Sequence, residues 1–223
     1  MRNHHVLFPC AGLLLLALAV PSLAARGYES YYDLLDAAPW YDGAKSTIDY
    51  QPTPVDGIAI AAWCGIDNGG VDAPMQWVQG GWDQFKDGAP HVYWEYTDKN
   101  NQYRIGWDGA PNAADTYEQS RNGGQMEWRR GGVVYKTADW SLFNTIELRK
   151  AQYGAEMHDT PADHTPGVAA RKNNFLTTQV RRSLGAYASA PLAIEVSTAE
   201  DGNLEPVGVP GNGSFRTWDN RDH

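Results

Sequence analysis

The chain has 223 residues, with 18 Lys and Arg against 27 Asp and Glu, for a formal charge of −9. That acidity repels phosphate backbones and anionic headgroups, which excludes nucleic acid and membrane surfaces as main partners. The 42% hydrophobic content includes nine Trp and twelve Tyr, large flat side chains that let one core hold without disulfides.

Residues 1–25 read as a secretory signal peptide. Arg2 comes first, an apolar run follows from Ala11 to Val20, and Ser22-Leu23-Ala24 places small residues at the cleavage positions. The run is too short to span a bilayer, so the mature protein is expected to be soluble, secreted and extracellular. Cys10 leaves with the signal. Cys64 then has no intrachain partner and reads as a small buried hydrophobe.

Residues 26–55 are tyrosine-rich and acidic. Ser30 with Asp33 has the form of a helix start and Pro39 would end it, so a short helical N-terminal arm is predicted. A β-sandwich domain is expected over 56–200. GIAIAAWCGI (57–66) is a buried run, and MQWVQGGW (75–82) is a strand leading to a hairpin signal at Asp87-Gly88. HVYWEYT (91–97) alternates, with Val92, Trp94 and Tyr96 on one face and Tyr93, Glu95 and Thr97 on the other. QYRIGW, TYEQSR, QMEWRR and VVYKT read as further strands in hairpins. SLFNTIELRKAQYGAEMH (141–158) holds a helical turn and then a strand, and NNFLTTQVRR and PLAIEVST complete the set. The Gly- and Pro-rich tail, 201–223, is expected to be mobile, with Trp218 able to dock. Many short strands with Gly- and Asn-rich turns predict an all-β, antiparallel β-sandwich.

Alternation puts Met75, Trp77 and Gln79 on one face of their strand, and Gly154, Glu156 and His158 on one face of theirs. Both polar residues lie beside glycines, which permit close approach of a bound backbone. Pattern alone leaves each of them an ordinary solvent-facing strand residue. The succession of motifs says more. AAWCGIDNGG (61–70), VQGGWD (78–83) and YGAEMHD (153–159) resemble, in that order, the Trp-x-Gly-Ile-Asp, Gln-x-Gly and Asn-Ala-Glu-Trp segments of the eqolisins, a family of glutamic peptidases. QGGW, HVYWEYTD, WSLF, YGAEM, HTPG and NNF are similar to the motif succession of the neprosin-like branch. Plant neprosin-like proteins carry glutamate where this chain has Gln79, and eqolisins carry an aromatic where it has Met157.

The resemblance implies a lectin-like jelly roll with a groove across one sheet. It implies Glu156 as general base, Gln79 as its partner, and Trp63, Trp77 and Asp67 as substrate-binding residues. The chemistry is sound on its own terms. Amide hydrolysis without a metal or covalent nucleophile needs a base for the water and a donor for the oxyanion. A carboxylate serves as the first; a carboxamide, which does not titrate, serves as the second. Protonated Glu156 can then pass its proton to the leaving amine. The resemblance further implies a polypeptide substrate, an acidic working range and a taste for proline; no cofactor is needed, and a monomer is expected.

Other constellations compete. Glu95 with Glu156 could serve a glycosidase, although Glu95 reads as solvated on an outer face, and Glu118, Glu127 and Glu147 would qualify equally. The tryptophans could stack sugars in a non-catalytic, glycan-binding lectin, with calcium in the Asp67-Asn68 loop. His158-Asp159 and Asp163-His164 flank a Pro-containing stretch that suits a turn better than zinc. No serine-hydrolase elbow, zincin helix or P-loop occurs.

Overall fold

The computed structural model describes residues 25–69, 75–143, 148–160, 162–198, 201–207 and 213–221. Apart from its last residue, the predicted signal peptide lies outside them. The strands in chain order are β1 (Ala25–Leu34), β2 (Tyr41–Asp49), β3 (Ala59–Asp67), β4 (Trp77–Phe85), β5 (Pro90–Thr97), β6 (Tyr103–Asp108), β7 (Ala114–Asn122), β8 (Gln125–Arg130) and β9 (Val133–Asp139). After a 3-10 turn at Trp140–Leu142 come β10 (Lys150–Thr160), β11 (Gly167–Val168), β12 (Arg171–Arg182), β13 (Ala188–Ser189), β14 (Ile194–Ser197), β15 (Gly202–Pro206) and β16 (Phe215–Asp219). The 3-10 turn starts where the Asp139 carboxylate accepts from Ser141 N at 2.8 Å.

Two sheets form the sandwich. One runs β14-β1-β10-β3-β4-β5-β6 and the other β15-β16-β11-β12-β2-β7-β8-β9, with β13 paired to β12. Every described pairing is antiparallel except the Val168–Asp219 contact of β11 with β16. The antiparallel β-sandwich expected from the sequence is thus the observed architecture.

Period-2 alternation fills the space between the sheets. Ile60, Ala62, Cys64 and Ile66 of β3 point inward, with Val78 and Trp82 of β4 and Val92 and Tyr96 of β5. They meet Ile48, Tyr117, Met126, Trp128 and Phe175 from the opposite sheet. Each large aliphatic buried this way contributes roughly 1.5–3 kcal/mol. Cys64 is fully buried, as expected, and its thiol pKa is raised by burial.

The helical arm does not form. Its residues are β1 and β2, each an inner strand, β1 between β14 and β10 and β2 between β12 and β7. The helix-start signal at Ser30 loses to long-range pairing on both edges of β1. Ser30 is fully buried opposite Gly154, where an added Cβ would lie 2.3 Å from the Ser30 Cβ. The C-terminal tail also differs from expectation. It contributes β15 and β16; Phe215 is fully buried and stacks on Phe175 at 4.3 Å, and Lys172 Nζ sits 3.8 Å from the Trp218 ring centroid. Asp163, considered above as a metal ligand, instead accepts from the backbone N–H groups of Gly57, Ile58 and Ala59 at 2.8–3.0 Å and fixes the entry to β3.

Candidate active site

The outward face of the first sheet carries a lattice of side chains set by strand register. Glu156, Ala61, Asp83 and His91 form one row across β10, β3, β4 and β5. Gly154, Trp63, Gly81 and Tyr93 form the next, and Gln152, Gly65, Gln79 and Glu95 the third. Lys150, Asp67, Trp77 and Thr97 form the fourth. Trp63 therefore lies between two glycines, with Glu156 and Gln79 diagonal to each other across it. An added Cβ on Gly81 would lie 1.9 Å from the Ala62 carbonyl oxygen, so only glycine lets β4 approach β3 here. Above this floor opens a groove of about 400 Å³ lined by Trp63, Asp67, Trp77, Gln79, Glu95, Glu156 and Arg26, among others.

The opposite sheet pins the floor from below. Trp128 of β8 donates its indole N–H to the Gln79 carbonyl at 2.9 Å, and Tyr135 of β9 donates to the Tyr93 carbonyl at 3.0 Å. Above, the Gln79 carboxamide nitrogen donates to Glu95 Oε1 at 2.5 Å and to the Tyr93 hydroxyl at 3.1 Å, which uses both its hydrogens. Glu95 Oε2 accepts from the Tyr103 hydroxyl at 2.7 Å. Glu156 Oε1 accepts from Arg26 Nη1 at 2.9 Å and lies 3.5 Å from His158 Nε2.

The carboxyl groups are buried, Glu95 at 9% and Glu156 at 4% exposure. Burial pushes the Glu95 carboxyl up to about 7; the charge of Glu156 adds to this, while the Tyr103 and Gln79 hydrogen bonds and Arg26 oppose it. Burial likewise pushes Asp83 up to about 6, against its hydrogen bond from the Trp107 indole. Burial lowers His158, and Glu156 partly offsets this. Asp67 is raised by burial, opposed by Lys150, whose ammonium lies 3.6 Å away.

No family model and no curated protein matches the sequence. Solved structures do. Scytalido-glutamic peptidase with a transition-state analogue inhibitor superimposes with a TM-score of 0.58 at 13% identity, over 88% of this chain and 99% of that one. A second structure of that peptidase, with a peptide-based transition-state analogue, gives 0.57 at 13% identity, over 88% and 98%. SCP-B, a member of the eqolisin family of peptidases, in complex with the tripeptide Ala-Ile-His, gives 0.53 at 13% identity, again over 88% and 98%. The chain has the fold of the glutamic peptidases.

On this glutamic-peptidase fold, all five residues singled out from the sequence line one groove: Glu156, Gln79, Trp63, Trp77 and Asp67. Trp63 is buried in a small outer cluster with Ala61 and Tyr93, while Trp77 is half-buried and tilts against Tyr103. Gln79 and Glu156 are each engaged by other side chains. Their backbone positions, opposite Gly65 and Ala61 on the two edges of β3, stand four residues apart along it and two strand spacings apart across it, roughly 16 Å at ~3.3 Å per residue and ~4.8 Å per strand.

Two further residues line the groove beyond those assigned to a peptidase site. Glu95, weighed only as a glycosidase partner of Glu156 and expected to be solvated, is buried in the groove and bonded to Gln79. A hairpin centred on Asp87, the turn signal already recognised, sets Gln79 opposite Glu95 by counting alone. Arg26 was assigned to a helical arm; only the pairing of β1 with β10 brings it to Glu156.

Proposed function

We propose that this protein is a secreted endopeptidase of the glutamic type, working in the acidic range, with Glu156 as general base and Gln79 as oxyanion donor. The observation that supports this most is the placement of both side chains on one face, lining one open groove, on a sandwich of this fold. An extended substrate laid over Trp63 would set its scissile amide between them. Glu156 takes a proton from a water on the groove floor, and the resulting hydroxide attacks the carbonyl carbon. Gln79 turns one N–H from the Tyr93 hydroxyl to the oxyanion. Tyr93, no longer an acceptor there, still has its own proton to donate to the same oxygen, and burial holds its pKa far above the ordinary value. Trp77 and Asp67, in the row beyond Gln79, would contact the chain on one side of the cleaved bond.

The test is hydrolysis of casein and fluorogenic peptides at about pH 4–6, comparing wild type with Glu156→Gln and Gln79→Ala. Loss of two to four orders of magnitude in kcat for Glu156→Gln, with activity indifferent to pepstatin and EDTA, is expected. Peptide hydrolysis unaffected by Glu156→Gln would refute the assignment. Glycan binding with no peptide hydrolysis by wild type would replace it with the lectin-like reading.

A further inference from the structure

The groove does not stop at Glu156. A narrower recess continues it past Trp63, lined by Ala59, Ala61, Phe85, Tyr93, Ile105 and Glu156, among others. Phe85 and Trp77 are the two ends of β4, so the recess runs away from the end occupied by Trp77 and Asp67. Two exposed aromatic side chains stand there. Phe85 is 36% exposed and Trp107 of β6 is 49% exposed, and their rings meet edge to face with centroids 6.0 Å apart. Both belong to the outward lattice, since Phe85 is paired with Ala59 and Trp107 with Tyr93. The Trp107 ring is fixed in place. Its indole N–H donates to Asp83 Oδ2 at 2.8 Å, which draws the ring from β6 back across β5 to β4, with the His91 ring 6.4 Å away. Asp83 itself is buried. A large aromatic held by a buried carboxylate, yet half open to solvent, has lost its rotamer freedom before any ligand arrives.

We propose that Phe85 and Trp107 form a distal subsite for the polypeptide substrate, which selects a large apolar side chain, aromatic above all, three or four residues from the cleaved bond. This rests on the peptidase reading of the same groove. Continuity with the groove names the occupant. Ala59, the partner of Phe85, lies four residues along β3 from Trp63, about 13 Å at ~3.3 Å per residue. An extended substrate with its scissile amide over Trp63 covers that distance in about four residues. The Trp107 ring is bonded to Asp83, opposite Ala61 and half as far along, so the third residue is within reach as well. Asp67, paired with Trp77, lies four residues from Trp63 in the other direction, so the cleaved bond falls midway along β3. The two ends offer different chemistry. At one, the Lys150 ammonium lies 3.6 Å from Asp67 beside Trp77. At the other, the exposed rings present an edge and a face, the two surfaces against which a further aromatic ring packs. A side chain seated there touches no reacting atom. It acts by holding the substrate backbone in register, with the amide between Glu156 and Gln79.

A ratio between peptides reads this subsite out. The probes carry one Phe, moved stepwise from the second to the fifth residue on either side of the cleaved bond in a background of Ala, Ser and Gly, with products identified by mass spectrometry. Wild type is expected to show kcat/KM at least about tenfold higher when Phe stands third or fourth on one side of the bond than when Ala stands there. Trp107→Ala and Phe85→Ala should each bring that Phe-to-Ala ratio to within about threefold of one. Trp107→Phe, which keeps a ring, should retain part of it. Phe85→Ala leaves the bond between Trp107 and Asp83 in place, so it carries the test if Trp107→Ala does not fold. A merely structural role would slow both peptides alike and leave the ratio intact. Peptide Kd values measured by calorimetry in Glu156→Gln should show the same ratio without hydrolysis, so the subsite stands or falls apart from the assignment of the base. An unchanged ratio in Trp107→Ala and Phe85→Ala, or no preference for Phe at those positions in wild type, would overturn the proposal. Binding of chitotetraose that Trp107→Ala abolishes, with no Phe preference among the peptides, would give the platform to a sugar instead.

Discussion

The proton on Glu95 makes a prediction about stability that needs no substrate. Its carboxyl is raised from the ordinary 4.5 to about 7 in the folded chain, chiefly by burial. Between those values the native state holds a proton that the unfolded chain has released, so stability falls as pH rises through this window and is fully present below it. At 1.36 kcal/mol per pH unit the span corresponds to about 3 kcal/mol. Glu95→Gln replaces the protonated acid with an isosteric neutral amide that can still accept from Gln79 and meet Tyr103. The variant should match wild type near pH 4 and exceed it by about 3 kcal/mol at pH 8, or roughly 6–12 °C in Tm for a domain of this size. Urea unfolding across that range measures the difference directly. Asp83 and His158 titrate in both proteins and cancel in the comparison. Unfolding free energies that stay parallel from pH 4 to pH 8 would refute the buried proton on Glu95.

Asp83→Asn should show the same signature at lower pH, since Asp83 is raised from 3.8 to about 6. The variant gains about 3 kcal/mol on wild type above pH 6 and nothing below pH 4, read from the same unfolding curves. Gly81→Ala should cost at least about 1–3 kcal/mol, because its Cβ would lie 1.9 Å from the Ala62 carbonyl oxygen; a neutral result by denaturant titration would mean that β4 can move away from β3. Phe215→Ala should cost about 3–5 kcal/mol by the same measurement, since the side chain is fully buried against Phe175; a change under about 1 kcal/mol would restore the mobile tail expected from the sequence.

The parts of this protein legible in the sequence are those whose partners are close along the chain. Alternation in HVYWEYT gave the right faces: Val92 and Tyr96 lie in the core, while Tyr93 and Glu95 face the groove. The turn at Asp87 joins β4 to β5, and its register was available by counting. What failed was local reasoning about segments whose conformation is decided elsewhere. Ser30 and Asp33 carry a helix-start signal worth about 1 kcal/mol. Against it stand two ladders, to β10 from Lys150 to Thr160 and to β14 from Ile194 to Ser197, both more than a hundred residues away. The tail differs from expectation in part for the same reason: β16 pairs with its neighbour β15 but is anchored to the sheet through β11 and β12.

The same long-range pairing makes the N-terminal segment inseparable from the groove. β1 lies between β14 and β10, so removing it would strip β10, the strand that carries Glu156, of its neighbour on one side. It would also remove Arg26, whose guanidinium bonds Glu156, and Tyr28, which lines the groove. β2 holds the corresponding place in the other sheet, between β12 and β7. A chain begun at Pro52 would therefore lose an inner strand from both sheets at once and leave the facing edges of four others unpaired. Each exposed edge presents a row of unsatisfied N–H and C=O groups to other chains, and the sheet beneath Glu156 would end at β10. Such a chain is expected to aggregate rather than fold, which size-exclusion chromatography and far-UV circular dichroism would show. A soluble β-rich monomer from residue 52 onward would mean that β10 holds its place, and Glu156 its position over the groove, without β1.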